Sequence, residues 1–233
     1  MAVRESKRSS IVPPPDGVFG VRGYRIRDIA KANERRREIL MGAARAFAHG
    51  GYDATNMDQI ANECGLAKGN LYHYFRSKQE IFTEIRIDAY KRAIERLAAI
   101  APAADKDPEM ALRDAISVVI GRTFNEGERY DDVERYEPVL GNPVSLSAGN
   151  RKRIRTLSRR YDRIFATILR KGMAQGIFVR GDKKLTTFVI LRAANSVHSW
   201  YRAGGKWKPQ WIVEQVTEQL VRSVRQTAVR DIA

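Results

Sequence analysis

A chain of 233 residues with 42 Lys and Arg against 27 Asp and Glu carries a formal charge of +15 and is long enough to bury a sizeable core. Its single Cys excludes an internal disulfide framework and a cysteine-rich zinc site, and no run approaches the ~20 apolar residues needed to cross a bilayer. The excess charge favours a polyanionic partner, yet residues 1 to 80 hold only 14 Lys and Arg against 9 Asp and Glu, so charge alone does not say where that partner binds.

Residues 1–23 are rich in Arg, Ser, Pro and Gly, include Pro13-Pro14-Pro15, and read as a disordered basic extension. Arg4, Lys7 and Arg8 suit either a solvated tail or an arm that follows a minor groove, while Val18, Phe19, Val21 and Tyr24 hint at a packed segment. The basic start is not followed by an apolar stretch, so no signal peptide is expected; together with the lone Cys this predicts a cytoplasmic protein with no membrane partner. A first strong helix runs from about Ala32 to His49, with Ile39, Leu40, Ala43, Ala44 and Phe47 on one face and Glu34, Arg35, Arg37 and Glu38 on the other. Gly50-Gly51 ends it, and His49 sits in the last turn, where a cation suits the helix dipole.

The stretch from Thr55 to Glu80 reads as two short helices joined by a tight glycine turn. Thr55 is the expected cap of the first, whose apolar side is Met57, Ile60 and Ala61. Gly65 supplies the left-handed conformation of a sharp helix end, and a second helix spans Ala67 to about Phe75. Leu71 and Phe75 point back at the first helix, leaving Lys68, Gly69, Asn70, Tyr72, His73 and Tyr74 to face outward. Lys reaches guanine acceptors, Asn pairs an adenine edge and Tyr hydroxyls hold phosphates, so the row suits a major groove, with Asn56 near its edge. Ser77 caps the next helix with Glu80 as its box partner, and Lys78 falls where a phosphate would lie. Cys64, at the end of the first short helix, reads as a small buried filler, a redox sensor being the alternative.

From Lys78 to about Ile100 a long helix carries Ile81, Phe82, Ile85, Ala89, Ile94 and Leu97, and is the natural lever into the rest of the chain. Asp107-Pro108 caps and opens a helix holding Ala111, Leu112, Ala115, Ile116, Val119, Ile120 and Phe124. Residues 125–149 are less regular: Tyr130, Val133, Tyr136 and Val139-Leu140 suit a helix that Gly141-Asn142-Pro143 stops. Asn150 to Gln175 has an apolar stripe of Ile154, Leu157, Tyr161, Ile164, Phe165, Ile168, Leu169 and Met173, flanked by cations that include Arg155, Arg159 and Arg163. Gly176 ends it; Asp182 caps a helix over Lys183 to Ala203 with Leu185, Phe188, Val189, Ala193, Ala194, Val197, Trp200 and Tyr201. The last helix carries Val213, Val216, Leu220 and Val224. The fold class is therefore all-α, and no repeat of 20 to 50 residues is visible.

Ala43-Ala44, Phe47, Gly51-Tyr52, Ala54-Thr55, Ile60-Ala61, Gly65-Leu66-Ala67-Lys68-Gly69, Leu71-Tyr72, Tyr74-Phe75 and Ser77-Lys78, in that order, resemble the DNA-binding domain of TetR-type transcriptional regulators. Ala67 stands where that family usually has a capping Ser or Thr, and Gln79 where Glu is usual. The resemblance implies a three-helix helix-turn-helix domain, placed here at residues 24–77, and a larger helical ligand-binding and dimerisation domain at 78–233. It also implies a homodimer that binds a palindromic double-stranded operator and is released by a small molecule. The DNA contacts would come from Thr55, Asn56, Lys68, Gly69, Asn70, Tyr72, His73, Tyr74 and Lys78. The last two helices are the expected interface, through Trp200, Val213, Val216, Leu220 and Val224.

No P-loop, dinucleotide turn, HExxH or GxSxG appears, so no catalytic residue, metal or cofactor is assigned and the protein is not expected to be an enzyme. Asn195 and His198, one turn from Arg192 on an otherwise apolar helix, serve either an internal hydrogen-bond network or dimer contact, or a ligand's polar group. The cations around Arg155, Arg159 and Arg163 are a solvated face or, with Tyr136, an anion site beside an apolar pocket that fits an acyl-coenzyme A. Ser199-Trp200-Tyr201-Arg202-Ala203-Gly204-Gly205 is similar to a stretch in TetR-type regulators of fatty-acid and steroid breakdown. Alternatives left open are a sensor of hydrophobic drugs controlling efflux, an enzyme fused to a DNA domain, and a non-specific nucleic-acid-binding protein.

Overall fold

The computed structural model describes residues 29–124, 133, 146–202 and 204–226, and apart from one isolated bridge every regular element among them is helical. In chain order these are α1 (Ile29–Gly50), α2 (Met57–Glu63), α3 (Lys68–Tyr74), α4 (Lys78–Ile100), a 3-10 turn (Ala101–Asp105), α5 (Pro108–Gly121), α6 (Ala148–Ala174), α7 (Lys183–Trp200) and α8 (Pro209–Arg222). The basic extension, Tyr24, Tyr136 and the helix expected around it lie outside the described residues; Val133 alone from that region is described, as helical and buried. Among the described residues no helix is long and apolar enough to cross a membrane.

Short polar side chains start these helices by accepting the amides that a first turn leaves without partners. Ser77 accepts from the Glu80 amide at 3.2 Å, Asp107 from Met110 at 2.9 Å, Ser147 from Asn150 at 3.2 Å, and Asp182 from both Lys184 and Leu185 at 2.8 Å. Two of these were expected as caps of their helices, as was Ser77; Glu80, however, accepts from the amide of Arg76 at 2.8 Å, one residue before its expected box partner. Gly65 and Gly176 end α2 and α6 at φ 61° and 72°, a region open mainly to glycine.

Thr55 is not a cap. It is 3 % exposed, and its hydroxyl donates to the carbonyl of Gly51 at 2.7 Å, with Ala46 O at 3.3 Å, tying the chain to the end of α1. Asn56 caps α2 instead, in a reciprocal box: its side chain accepts from the Gln59 amide at 2.9 Å, and the Gln59 side chain accepts from the Asn56 amide at 2.8 Å.

Two cores follow. The first gathers Ile39, Ala43, Ala44 and Phe47 of α1, Ile60 of α2, Leu71 and Phe75 around α3, and Ile81, Phe82 and Ile85 of α4. Val133, Leu146 and Ile154 also belong to it, so the start of α6 is docked onto the three-helix unit. The second joins Ala93, Ile94 and Leu97 of α4 to Leu112 and Ile116 of α5, Phe165, Ile168 and Leu169 of α6, Ile190 and Val197 of α7, and Ile212 and Val221 of α8. Two helices, α4 and α6, thus contribute side chains to both, and Tyr90 of α4 packs on each.

Two helices turn differently from expectation. On α7 the buried residues are Thr187, Ile190, Leu191, Ala194 and Val197, whereas Leu185, Phe188 and Val189 are more than half exposed. Val224, expected at a subunit interface, is instead buried in the second core, where its carbonyl accepts from the Val179 amide at 2.8 Å beside the Phe178–Arg225 bridge. Val213, Val216 and Leu220 are half-buried against the same core, because α8 lies along α5 and is held there by Glu109–Arg225 and Arg113–Glu218 ion pairs.

Candidate nucleic-acid interface and effector cleft

α3 is anchored from below and open above. Leu71 and Phe75 are fully buried, Ala67 gives the helix start no side-chain cap, and Lys68, Gly69 and Asn70 stand exposed in its first turn. Lys68 forms a 2.8 Å ion pair with Asp58 of α2; the hydrogen bond to that carboxylate raises the ammonium above its ordinary value, and both side chains remain more than half exposed. Water readily replaces such a pair, so Lys68 is available to a base edge or phosphate. Asn70 offers both a donor and an acceptor, and Gly69 has nothing within 4 Å of where a Cβ would stand, so the first turn can approach another backbone closely.

Further along the helix the expected outward face is only partly outward. Tyr72 and His73 are half-buried, and Tyr74 packs against the first core while its carbonyl accepts from Arg36 of α1 at 3.1 Å. The guanidinium of Arg36 also lies 4.2 Å over the Phe75 ring. Lys78 is engaged within the fold: its ammonium donates to the carbonyls of Tyr52 at 2.7 Å and Asp53 at 3.2 Å and sits 4.4 Å over the Tyr52 ring. Thr55 is buried beneath the surface. Asn56 is exposed but occupied as a cap. Of the nine residues expected at DNA, Asn56, Lys68, Gly69 and Asn70 are exposed, Tyr72, His73, Tyr74 and Lys78 are half-buried, and Thr55 is buried. Cys64 is half-buried beside Gly42, its thiol pushed up by burial and placed 3.7 Å from the Ile39 carbonyl, which fits the filler reading.

In the second core a narrow cleft is lined by Ala89, Ala93 and Arg96 of α4, Val118 and Val119 of α5, Arg122, and Tyr161 of α6. Its free space is only about 10 Å³. The guanidinium of Arg122 donates to the side-chain oxygen of Asn195, whose amide nitrogen donates to the Leu191 carbonyl at 2.7 Å, so Asn195 is part of an internal network at this cleft. His198 is half-buried one turn away. Arg155, Arg159 and Arg163 are exposed on the outer side of α6 and none lines the cleft, because a charged stem stays in water unless a partner draws it in. The cations that do line it are Arg96 and Arg122, neither of which the sequence singles out; Arg122, a lone Arg after the apolar run Val118-Val119-Ile120, is the one that carries a signal.

Opposite the core, Leu185, Phe188 and Val189 of α7 form an exposed apolar face, with Arg192 stacked 5.2 Å over Phe188. Trp200, Trp207 and Trp211 continue exposed apolar surface around the α7–α8 connection, the last two with ring centroids 5.7 Å apart and nearly parallel.

The matching family models are those described as bacterial regulatory proteins of the tetR family, over residues 39–85, and the tetracyclin repressor-like C-terminal domain, over residues 128–224. Among proteins, the chain is 27% identical over 213 residues to the HTH-type transcriptional repressor KstR2 of Mycolicibacterium smegmatis, covering 83% of this chain and 92% of that one. Among solved structures, it is 31% identical to the TetR family transcriptional regulator PfmR from Thermus thermophilus, covering 83% and 97% of the two chains with a TM-score of 0.64. The structure of AibR in complex with isovaleryl coenzyme A and operator DNA shares the fold with a TM-score of 0.70 at 21% identity, over 82% of this chain and 98% of that one.

Proposed function

Because this chain belongs to the TetR family of bacterial transcriptional regulators, which are not enzymes, we propose that it is a homodimeric repressor. In this reading it binds a palindromic operator through α3 and is released by an amphiphilic effector of the acyl-coenzyme A kind. The observation that carries the reading is the first turn of α3, where Lys68, Gly69 and Asn70 are presented to solvent on a helix pinned by Leu71 and Phe75. A single reader covers a few base pairs, and two held about 34 Å apart on one face of the duplex give useful specificity. The α7 face of Leu185, Phe188 and Val189, with Trp200, supplies the surface that pairs two copies, with the α8 valines serving the core behind it.

Release follows from the shape of the cleft. A space of about 10 Å³ admits no acyl chain unless α4, α5 and α6 part, and α4 carries Ile81, Phe82 and Ile85 in the reader's own core. An effector that enters therefore displaces the helix on which that chain's reader hangs. Arg96 and Arg122 lie at the cleft to meet an anionic group, and the resemblance to KstR2, a repressor, and to AibR, solved with an acyl-coenzyme A and operator DNA, supports both the sign of regulation and the effector class.

Selection of duplexes from a randomised pool by the purified protein, followed by competition with isovaleryl-coenzyme A, free coenzyme A and a cationic dye, tests the whole reading. A palindromic duplex bound well over tenfold tighter than unrelated DNA, and released by the thioester but not the dye, is expected. Equal binding to all duplexes would refute sequence-specific reading, and release by the dye alone would transfer the protein to the drug sensors.

A further inference from the structure

The reader is joined to the larger half by a second path, besides the shared core of α4. Glu84, on α4, spends its two carboxylate oxygens on two different helices: Oε1 accepts from Arg153 of α6 at 2.9 Å, and Oε2 faces Arg36 of α1 at 3.6 Å. Arg36 in turn donates to the carbonyl of Tyr74, the last residue of α3, and lies 4.2 Å over the Phe75 ring. Beside Arg153, Ile154 is buried in the reader's core, so this end of α6 is packed in place as well as paired. The Arg36–Glu84 leg is about three-quarters shielded from water, and it borders a groove of about 350 Å³ between α1 and α4 into which the pair can swing.

We propose that Glu84 is a positioning residue for DNA reading: through Arg153 and Arg36 it couples the start of α6 to the C-terminal end of the recognition helix, fixing the angle at which α3 is held. The inference rests on the reading of α3 as the DNA-contacting helix. When α6 moves to admit an effector, Arg153 leaves Glu84, the carboxylate loses one of its two cations, and Arg36 shifts its hold on Tyr74 and Phe75. The recognition helix then tilts although none of its own contacts to α2 has been broken. Neither Glu84 nor Arg153 is among the residues expected at DNA, so the effect of replacing them is on geometry and not on contact chemistry.

Charge arithmetic makes the proposal testable. Glu84→Gln adds one positive charge and Arg153→Met removes one; a simple electrostatic effect on a polyanion would move affinity in opposite directions. The coupling requires the same direction for both. On the duplex that the wild-type chain enriches from a randomised pool, each variant is expected to lose about 3- to 10-fold in affinity, with the double variant no worse than either single one. Arg153→Lys, which keeps a cation within reach of Glu84, is expected to recover most of the loss, and Lys152→Met, beside it on the exposed side of α6, to bind as wild type. Circular dichroism and thermal midpoints run in parallel, because a purely structural role would lower the midpoint in proportion to affinity, whereas positioning loses affinity in folded variants whose midpoints lie within a degree or two of wild type. Unchanged or tighter binding by Glu84→Gln, or additive losses in the double variant, would overturn the proposal. Failure of the wild-type chain to enrich any duplex would remove the reading beneath it, and the proposal with it, and is recognisable before any variant is made.

Discussion

Replacing Lys78 by Met separates two roles that a basic residue beside a recognition helix can have. The side chain closes α4 back onto the loop after α1, with hydrogen bonds to the Tyr52 and Asp53 carbonyls and a ring contact with Tyr52. A charge-assisted hydrogen bond contributes about 1.5–3 kcal/mol and an exposed cation–π contact about 0.5–1 kcal/mol, but the Lys78 ammonium is partly in water and Met keeps most of the stem packing. A net loss of about 2 kcal/mol is therefore expected, lowering the thermal midpoint by about 4–8 °C for a chain of this size. Each phosphate contact adds about 0.9 to the slope of log affinity against log salt. A residue employed as an internal clamp leaves that slope unchanged when replaced; one that binds phosphate lowers it. Calorimetry together with operator titrations at several salt concentrations reads both quantities from one preparation. An unaltered midpoint with a slope reduced by about one would show that Lys78 leaves its carbonyls for DNA and would refute the clamp.

Four further outcomes are expected. Gly172→Ala places a methyl group within the Phe178 ring and should cost about 1–3 kcal/mol in urea unfolding, much of it regained with Phe178→Leu; full stability of the single variant would contradict the packing. Asn56→Ala removes the capping box of α2 and should cost about 0.5–2 kcal/mol, while Thr55→Ser, which keeps the hydroxyl donor, should cost less; unchanged stability of Asn56→Ala would contradict Asn56 as the cap. Burial raises the Asp162 carboxyl above its ordinary value, with Arg192 opposing, so its ionised form weakens the fold at neutral pH and the deficit fades as pH falls through the raised value. Asp162→Asn should therefore be more stable than wild type at pH 7 and lose that advantage near pH 4, and a constant difference across the range would argue against the assignment. Phe188→Glu, which puts a charge on the exposed apolar face of α7, should yield monomers by sedimentation with helicity intact, and a persistent dimer would move the interface elsewhere.

What could be read in advance was whatever one helix decides by itself. Ile60, Leu71 and Phe75 recur at helical spacing around Gly65, and that spacing was enough to place α2 and α3 and the buried sides of both. Thr55 and Asn56 are adjacent and equally good caps; the choice between them is made by the carbonyls of Gly51 and Ala46, which only the folded end of α1 brings within reach of the hydroxyl. α7 is apolar over most of its circumference, so periodicity could not say that Ile190 and Val197 face the core while Phe188 and Val189 do not. The row of arginines on α6 stands out in the sequence by number, whereas Arg122 is a single charge after an apolar run and Arg96 is one of several charges on α4, so neither is marked as lining a cleft.

The two paths from cleft to reader differ in stiffness, and that difference bears on how release works. The path through α4 runs inside packed cores, from Ala93 and Leu97 to Ile81 and Phe82, and close-packed interiors pass on displacement with little loss. The path through Arg153, Glu84 and Arg36 consists of ion pairs, shielded on the Arg36 side and half exposed at Arg153, which yield more easily than packed side chains. An effector need favour the parted form by only a few kcal/mol to move the population decisively, and the stiff path delivers most of that difference. The softer path cannot add much force, but it acts at the far end of α3, where a small tilt is largest at the exposed first turn holding Lys68 and Asn70. Loss of Glu84 should accordingly leave effector release in place while narrowing the gap in affinity between the bound and released forms, because the unliganded reader would already be held less well.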